Sequence, residues 1–96
     1  MEKYSVLMSL YYKENPEYLS LSLESMINQS VPPDEIVMVY DGPLSNELYE
    51  VMNFYIEQYP NLFNIVINVK NQGLGLSLRK GLISCRNELI ARMEKI

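Results

Sequence analysis

The stretch Ile36-Val37-Met38-Val39-Tyr40-Asp41-Gly42-Pro43 decides the fold of this chain. Its first five residues are apolar and mostly β-branched, which indicates a buried strand. The strand closes on a carboxylate, a glycine and a proline, and these residues favour a tight turn that carries one charge. Whatever the protein binds, we expect Asp41 to lie near it.

Length, charge and cysteine usage limit the class of protein. The 96 residues predict one small domain over 1–96. The net charge of −4 and the scattering of the eight Lys and Arg residues argue against a nucleic-acid partner, which needs clustered cations. A single cysteine, Cys85, excludes an internal disulfide and favours the cytoplasm, and the lack of histidine excludes the usual zinc sites. No apolar run approaches the roughly 20 residues of a membrane-spanning helix, so we expect no transmembrane segment.

Hydrophobic periodicity divides the chain into alternating strands and helices. Besides the opening stretch, apolar runs predict strands over 4–10, 62–69 and 88–93. Apolar residues at spacings of three and four predict helices that begin at Pro16, after Ser45 and at about Leu74. The order β-α-β-α-β-α-β predicts a three-layer α/β/α fold around a mainly parallel, four-stranded, Rossmann-like sheet.

Four polar segments are expected at one edge of this sheet, because ligands of parallel sheets bind outside the carboxyl ends of the strands. The segments are Tyr11–Glu14, Asp41–Pro43, Lys70–Gly73 and Glu94. The sequence therefore predicts a binding site assembled from four turns.

Each of these segments also has a purely structural interpretation. Asp41 and Gly42 are favoured in turns for reasons unrelated to ligands, and that interpretation has about even weight. The segment Asn71–Gly75 lacks the spacing of both common glycine-rich phosphate loops, which favours a loop and helix cap. Tyr11 and Tyr12 are more easily explained as ordinary edge aromatics than as a stacking platform for a base.

Five segments in order resemble the amino-terminal half of a family 2 glycosyltransferase of the GT-A fold. They are Tyr4–Tyr11, Ser25-x-x-x-Gln29, Val39–Gly42, Asn71-x-Gly73 with Gly81, and Asn87–Met93. The resemblance covers almost the whole chain and implies the half of the enzyme that binds a nucleoside-diphosphate sugar.

The resemblance implies a role for several turn residues. Tyr11 and Glu14 would line the nucleotide pocket, and Asp41, followed by Gly42, would accept a hydrogen bond from the base. The helix that Asn71 and Gly73 open would border the same pocket. Arg79, where the family usually has Asn, would contact the base or a phosphate.

The end of the chain departs from the family pattern. In the family the fourth strand leads into an Asp-x-Asp motif that binds a divalent metal, Mn or Mg, which neutralises the diphosphate. Glu94 stands at the first acidic position, but Lys95-Ile96 follows, without a second acid. We expect that residues 1–96 do not bind this metal by themselves.

Three hypotheses about function follow. The chain is the donor-binding half of a glycosyltransferase and is inactive alone, or a non-catalytic nucleotide-binding module, or an inactive truncated product that only self-associates. The fourth strand would lie at or near a sheet edge, which favours a homodimer in which two such edges pair.

Overall fold

The computed structural model describes residues 3–93, and its elements follow the predicted order. The strands are β1 (Tyr4–Leu10), β2 (Glu35–Asp41), β3 (Phe63–Asn68) and β4 (Leu89–Met93), and the helices are α1 (Pro16–Ile27), α2 (Asn46–Gln58) and α3 (Leu74–Ser84). The predicted strand bounds are therefore confirmed to within one residue. Within residues 3–93, no helix combines the length and the hydropathy needed to cross a membrane.

The four strands form one parallel sheet in the order β3-β2-β1-β4. Alternate residues of the central strands point to opposite faces. On one face, α1 and α2 cover Met8 and Met38, and on the other α3 covers Leu7 and Val37. This arrangement confirms the predicted three-layer α/β/α fold.

Local residues explain where each helix begins. The Asn15 side chain accepts hydrogen bonds from the amides of Glu17 and Tyr18 at 2.8 and 3.2 Å, and Pro16 occupies the first helical position. The Ser45 hydroxyl likewise accepts from the Leu48 amide at 3.2 Å. The third helix follows Gly73, which has no side chain to serve as a cap. The turn before this helix is held instead by hydrogen bonds to the Asp41 carboxylate at the end of β2.

Gly81 sets how closely α3 approaches the sheet. A Cβ atom at this position would clash with the Leu7 side chain and lie 2.8 Å from Cγ2 of Val39. Only a glycine allows the helix to lie this close to β1 and β2. The packing of α3 holds its first turn at the carboxyl ends of the strands.

Candidate functional site

A cleft of about 370 Å³ opens at the carboxyl ends of the strands. It combines predicted site residues from three separate turns. Its lining includes Tyr11, Glu14, Asp41, Asn71, Gly73 and Leu74. Five of the eight candidate site residues therefore meet in one place, although they are up to 62 positions apart in the sequence.

Asp41, at the end of β2, is the most constrained residue of this cleft. Its side chain is nearly buried, with 3% of its surface exposed. Oδ1 accepts a hydrogen bond from the Gln72 amide at 2.7 Å, and Oδ2 accepts one from the Gly73 amide at 2.9 Å. The carboxylate, which lies on a neighbouring strand, therefore holds the two residues immediately before α3 in place.

Hydrogen bonding keeps this carboxylate ionised. Burial by itself would raise the pKa of Asp41, but the Gln72 amide, the side chains of Asn68 and Ser77, and the Gly73 amide outweigh it. The pKa of Asp41 is consequently lowered from its ordinary value. Asp41 is a charged acceptor at neutral pH.

Asn68, the partner of Asp41 in the β2–β3 ladder, is not among the residues that the sequence predicts for the site. It is 2% exposed, and its Nδ2 donates to Asp41 Oδ1 and to Ser77 Oγ, both at 3.0 Å. Its Oδ1 accepts a hydrogen bond from Lys80 Nζ at 2.9 Å. The only signal in the sequence is a polar residue within the otherwise apolar run Ile65–Val69, on the same side of the strand as Asn64. Asn68 thus connects α3, through Ser77 and Lys80, to the Asp41 carboxylate.

Gly42 brings the turn after β2 into contact with the turn after β3. Its φ is +87°, and a Cβ atom would lie 2.8 Å from the backbone nitrogen of Asn71. Asn71 Nδ2 also donates to the backbone carbonyl of Asp41 at 3.4 Å. Gly42 therefore shapes the floor beneath the cleft through its backbone and is not among the residues that line it.

The remaining cleft residues present groups toward solvent. Tyr11 is 38% exposed and packs edge-to-face on Tyr12, with ring centroids 5.9 Å apart, and Lys13 Nζ lies 5.7 Å from the Tyr12 ring centroid. Glu14 is half-buried and supplies a second carboxylate. None of the residues that line the cleft is basic. The cleft thus offers an aromatic ring and acceptor oxygens for a ligand rich in N–H and O–H donors.

Arg79 lies outside this cleft. It lines an adjoining cavity of about 400 Å³ between α3 and β4, together with Leu78, Leu82 and Arg92. Leu74 contributes to both cavities and separates them. A ligand that touched both Asp41 and Arg79 would have to extend across Leu74.

Glu94, the predicted metal ligand, lies outside the described residues. Within residues 3–93 there is no cluster of three or more Cys, Asp or Glu side chains that could hold an ion. Asp41 and Glu14 face the same cleft, but the Asp41 oxygens already accept backbone amides. The described side chains therefore do not form a site for a divalent metal.

A larger cavity of about 430 Å³ lies at the opposite end of β2, beside Glu35. Glu35 is fully buried, and its oxygens accept from the Ser5 hydroxyl at 2.7 Å, the Arg86 amide at 2.8 Å and Asn64 Nδ2 at 3.1 Å. Arg86 Nε also lies 3.0 Å from Oε2. Burial would raise the pKa of Glu35, but these hydrogen bonds and the Arg86 charge lower it overall. Since its acceptors are occupied, Glu35 ties three strands to the segment after α3.

Comparison with known proteins relates this chain to glycosyltransferases. The model of glycosyl transferase family 2 matches residues 5–94. The amylovoran biosynthesis glycosyltransferase AmsE of Erwinia amylovora is 46% identical over 93 residues, which cover 95% of this chain and 34% of that protein. The UDP-Gal:alpha-D-GlcNAc-diphosphoundecaprenol beta-1,3-galactosyltransferase of Escherichia coli is 37% identical, over 96% of this chain and 33% of that protein.

The matches cover nearly all of this chain but only part of each relative. The chain spans about a third of the length of the curated relatives it matches. The family match, in contrast, runs from within β1 to the residue after β4 and so includes every helix and every strand end that builds the cleft. This chain belongs to glycosyl transferase family 2.

Proposed function

We propose that this chain binds the nucleoside part of a nucleoside-diphosphate sugar and serves as the donor-binding part of a glycosyltransferase. Such an enzyme would transfer the sugar to an acceptor hydroxyl. The observation that carries the proposal is the single cleft shared by Tyr11, Glu14, Asp41 and Asn71 at the carboxyl ends of parallel strands.

The chemistry of the cleft suits a base and a ribose better than a phosphate. Tyr11 presents a partly exposed ring for stacking, and Glu14 presents a carboxylate that can accept ribose hydroxyls. Asp41 Oδ2 accepts the Gly73 amide, and because a carboxylate oxygen can accept two hydrogen bonds, it can also accept one N–H of the base.

The diphosphate of the bound ligand would then lie outside the cleft, which has no basic lining residue. The adjoining cavity, which shares Leu74 with the cleft, contains the two cations Arg79 and Arg92. We propose that transfer requires residues comparable to the remaining two thirds of the relatives, which would include the catalytic base of the family. It would also require the divalent metal of the family, Mn or Mg. The single thiol, Cys85, is consistent with a cytoplasmic location.

Calorimetric titration with UDP, GDP and dTDP, with and without Mn²⁺, tests this proposal. UDP is the first probe because a relative's name includes UDP-Gal. We expect binding that Glu14→Gln weakens and Glu17→Gln leaves unchanged, since Glu17 is an exposed carboxylate in the first turn of α1 that does not line the cleft. The absence of binding at millimolar nucleotide, or equal effects of the two substitutions, would contradict the proposal.

A second candidate function is self-association through β4. This strand pairs with β1 on one side, and among residues 3–93 no strand pairs with its other side. Unpaired backbone groups at such an edge can form hydrogen bonds with a second copy. Light scattering at increasing concentration tests the proposed homodimer, and a monomer at the highest concentration would exclude it.

A further inference from the structure

Ser9, in β1, differs from the other buried polar residues of the chain. Six Ser, Asn, Asp and Glu residues are buried within residues 3–93, and the side chains of five of them form hydrogen bonds inside the protein. Those five are Ser5, Glu35, Asp41, Asn68 and Ser77. Ser9 is 9% exposed, and its hydroxyl has no hydrogen-bond partner among residues 3–93. Because buried polar groups are nearly always paired, this hydroxyl requires an explanation.

Ser9 lies on the same side of the sheet as Asp41. Successive residues of a strand point to opposite faces, so Ser9 follows Leu7 on the side that α3 covers. Val39 and then Asp41 lie on that side of β2, and the register pairs Ser9 with Val39. Ser9 and Asp41 are therefore diagonal neighbours on adjacent strands, with their Cα atoms about 8 Å apart.

The Ser9 hydroxyl reaches the space of the cleft. Ser9 is one of the residues that line the cavity of about 370 Å³ at the carboxyl ends of the strands. Within residues 3–93, every side-chain nitrogen or oxygen that is sealed from solvent has a hydrogen-bond partner. Since the Ser9 oxygen has none, it is not sealed, and the cleft is the open space beside it. The hydroxyl is thus available to a molecule bound in the cleft.

We propose that the Ser9 hydroxyl donates a hydrogen bond to a carbonyl oxygen of the nucleotide base, beside the N–H that Asp41 accepts. A hydroxyl can donate one hydrogen bond, and an ionised carboxylate can only accept. Uracil, thymine and guanine each carry a ring N–H next to a carbonyl, whereas cytosine and adenine have a ring nitrogen without hydrogen at the corresponding edge. The pair therefore favours nucleotides of the first three bases. This inference rests on the proposed function and adds the class of base.

A comparison of two buried serines of β1 tests the inference. Ser9→Ala should weaken UDP binding in calorimetry about fivefold, which corresponds to one hydrogen bond of about 1 kcal/mol. Its urea unfolding midpoint should stay at the wild-type value, because the hydroxyl has no partner in the described protein. Ser5→Ala is the matched control with the opposite pattern. It should lower the urea midpoint, because Ser5 Oγ donates to Glu35 Oε1 at 2.7 Å, and should leave UDP affinity unchanged.

Thio-substituted nucleotides identify the partner of the hydroxyl. Sulfur is a weaker acceptor than oxygen, so either 2-thio-UDP or 4-thio-UDP should bind the wild type about fivefold more weakly than UDP does. Ser9→Ala should bind that analogue and UDP equally, because the interaction is already absent.

The outcomes separate this inference from the proposed function. UDP binding that Ser9→Ala does not weaken, a urea midpoint that falls in Ser9→Ala as in Ser5→Ala, or thio effects of equal size in the wild type and Ser9→Ala would overturn the role of Ser9 alone. The absence of UDP binding to the wild type at millimolar concentration would overturn both.

Discussion

Nδ2 of Asn68 lies 3.0 Å from Oδ1 of Asp41, so a buried amide at the end of β3 orients the carboxylate at the end of β2. That carboxylate in turn accepts the backbone amides of Gln72 and Gly73, the two residues immediately before α3. The position of the turn that borders the cleft therefore depends on side chains that lie beneath it. Four predictions test this arrangement and the fold around it.

Asp41→Asn should destabilise the chain by about 1–3 kcal/mol, the cost of leaving buried polar groups without partners. An amide in place of the carboxylate provides one acceptor oxygen and turns an NH₂ group toward one of the two backbone donors. Urea unfolding measures the change. Glu47→Gln, in the exposed first turn of α2, is the control and should stay within about 0.5 kcal/mol of the wild type. Equal stability of the two variants would mean that Asp41 does not hold the turn.

Asn68→Asp should create a stability defect that depends on pH. It places a second carboxylate about 3.0 Å from Asp41, and like charges at this distance raise the pKa of one member of the pair. Lys80 offsets part of the repulsion, and Glu14 is the other acid facing the cleft. Because a raised pKa costs stability as pH rises through it, the variant should lie furthest below the wild type at pH 7 and approach it near about pH 4. A difference that is constant with pH would exclude the pairing.

The wild-type chain should lose stability in acid. Asp41 and Glu35 both have lowered pKa values in the folded state, so each contributes stability above its unfolded pKa of about 4 and loses it as pH falls through the folded pKa. The urea concentration at the unfolding midpoint should be constant between about pH 6 and 8 and should decrease when the pH is below about 4.5. A midpoint that rises as pH falls through that range would contradict these two assignments.

Gly42→Ala should destabilise the chain by about 1–3 kcal/mol, because φ is +87° and the new Cβ atom would press on the Asn71 backbone. Gly75→Ala is the matched control, since a Cβ atom at that helical position meets nothing within 4 Å. Alanine there should be neutral or stabilising by up to about 1 kcal/mol. Thermal unfolding measures the stability of both variants. A similar loss of stability at the two glycines would contradict the claim that a side chain at position 42 strains this turn.

Much of the fold could be predicted because its signals are local. The strand 4–10 was predicted with the bounds it has, and Asn15-Pro16 marked the start of α1, because caps and periodicity involve residues close in sequence. The meeting of Tyr11, Asp41 and Asn71 also followed, since parallel strands bring their carboxyl ends to one edge.

The side-chain partners could not be predicted, because they depend on the register of distant segments. Asn68 points into the protein and forms a hydrogen bond with Asp41, 27 residues away. The sequence alone does not tell which side of the sheet a polar residue in an apolar strand faces. Glu35 has no partner nearby in the sequence, since Ser5 and Arg86 are 30 and 51 residues away. Arg79 lies outside the cleft because the approach of Gly81 to the sheet sets the rotation of α3.

The most direct measurement for the central claim is a nitrogen–proton correlation spectrum of the chain during titration with UDP. Binding in the cleft predicts that the amide signals of Tyr11, Glu14, Asn71 and Gly73 shift together, while those around Glu35 and Arg86 stay in place. Shifts concentrated at the Glu35 end of the sheet, or no shifts at millimolar UDP, would contradict the account.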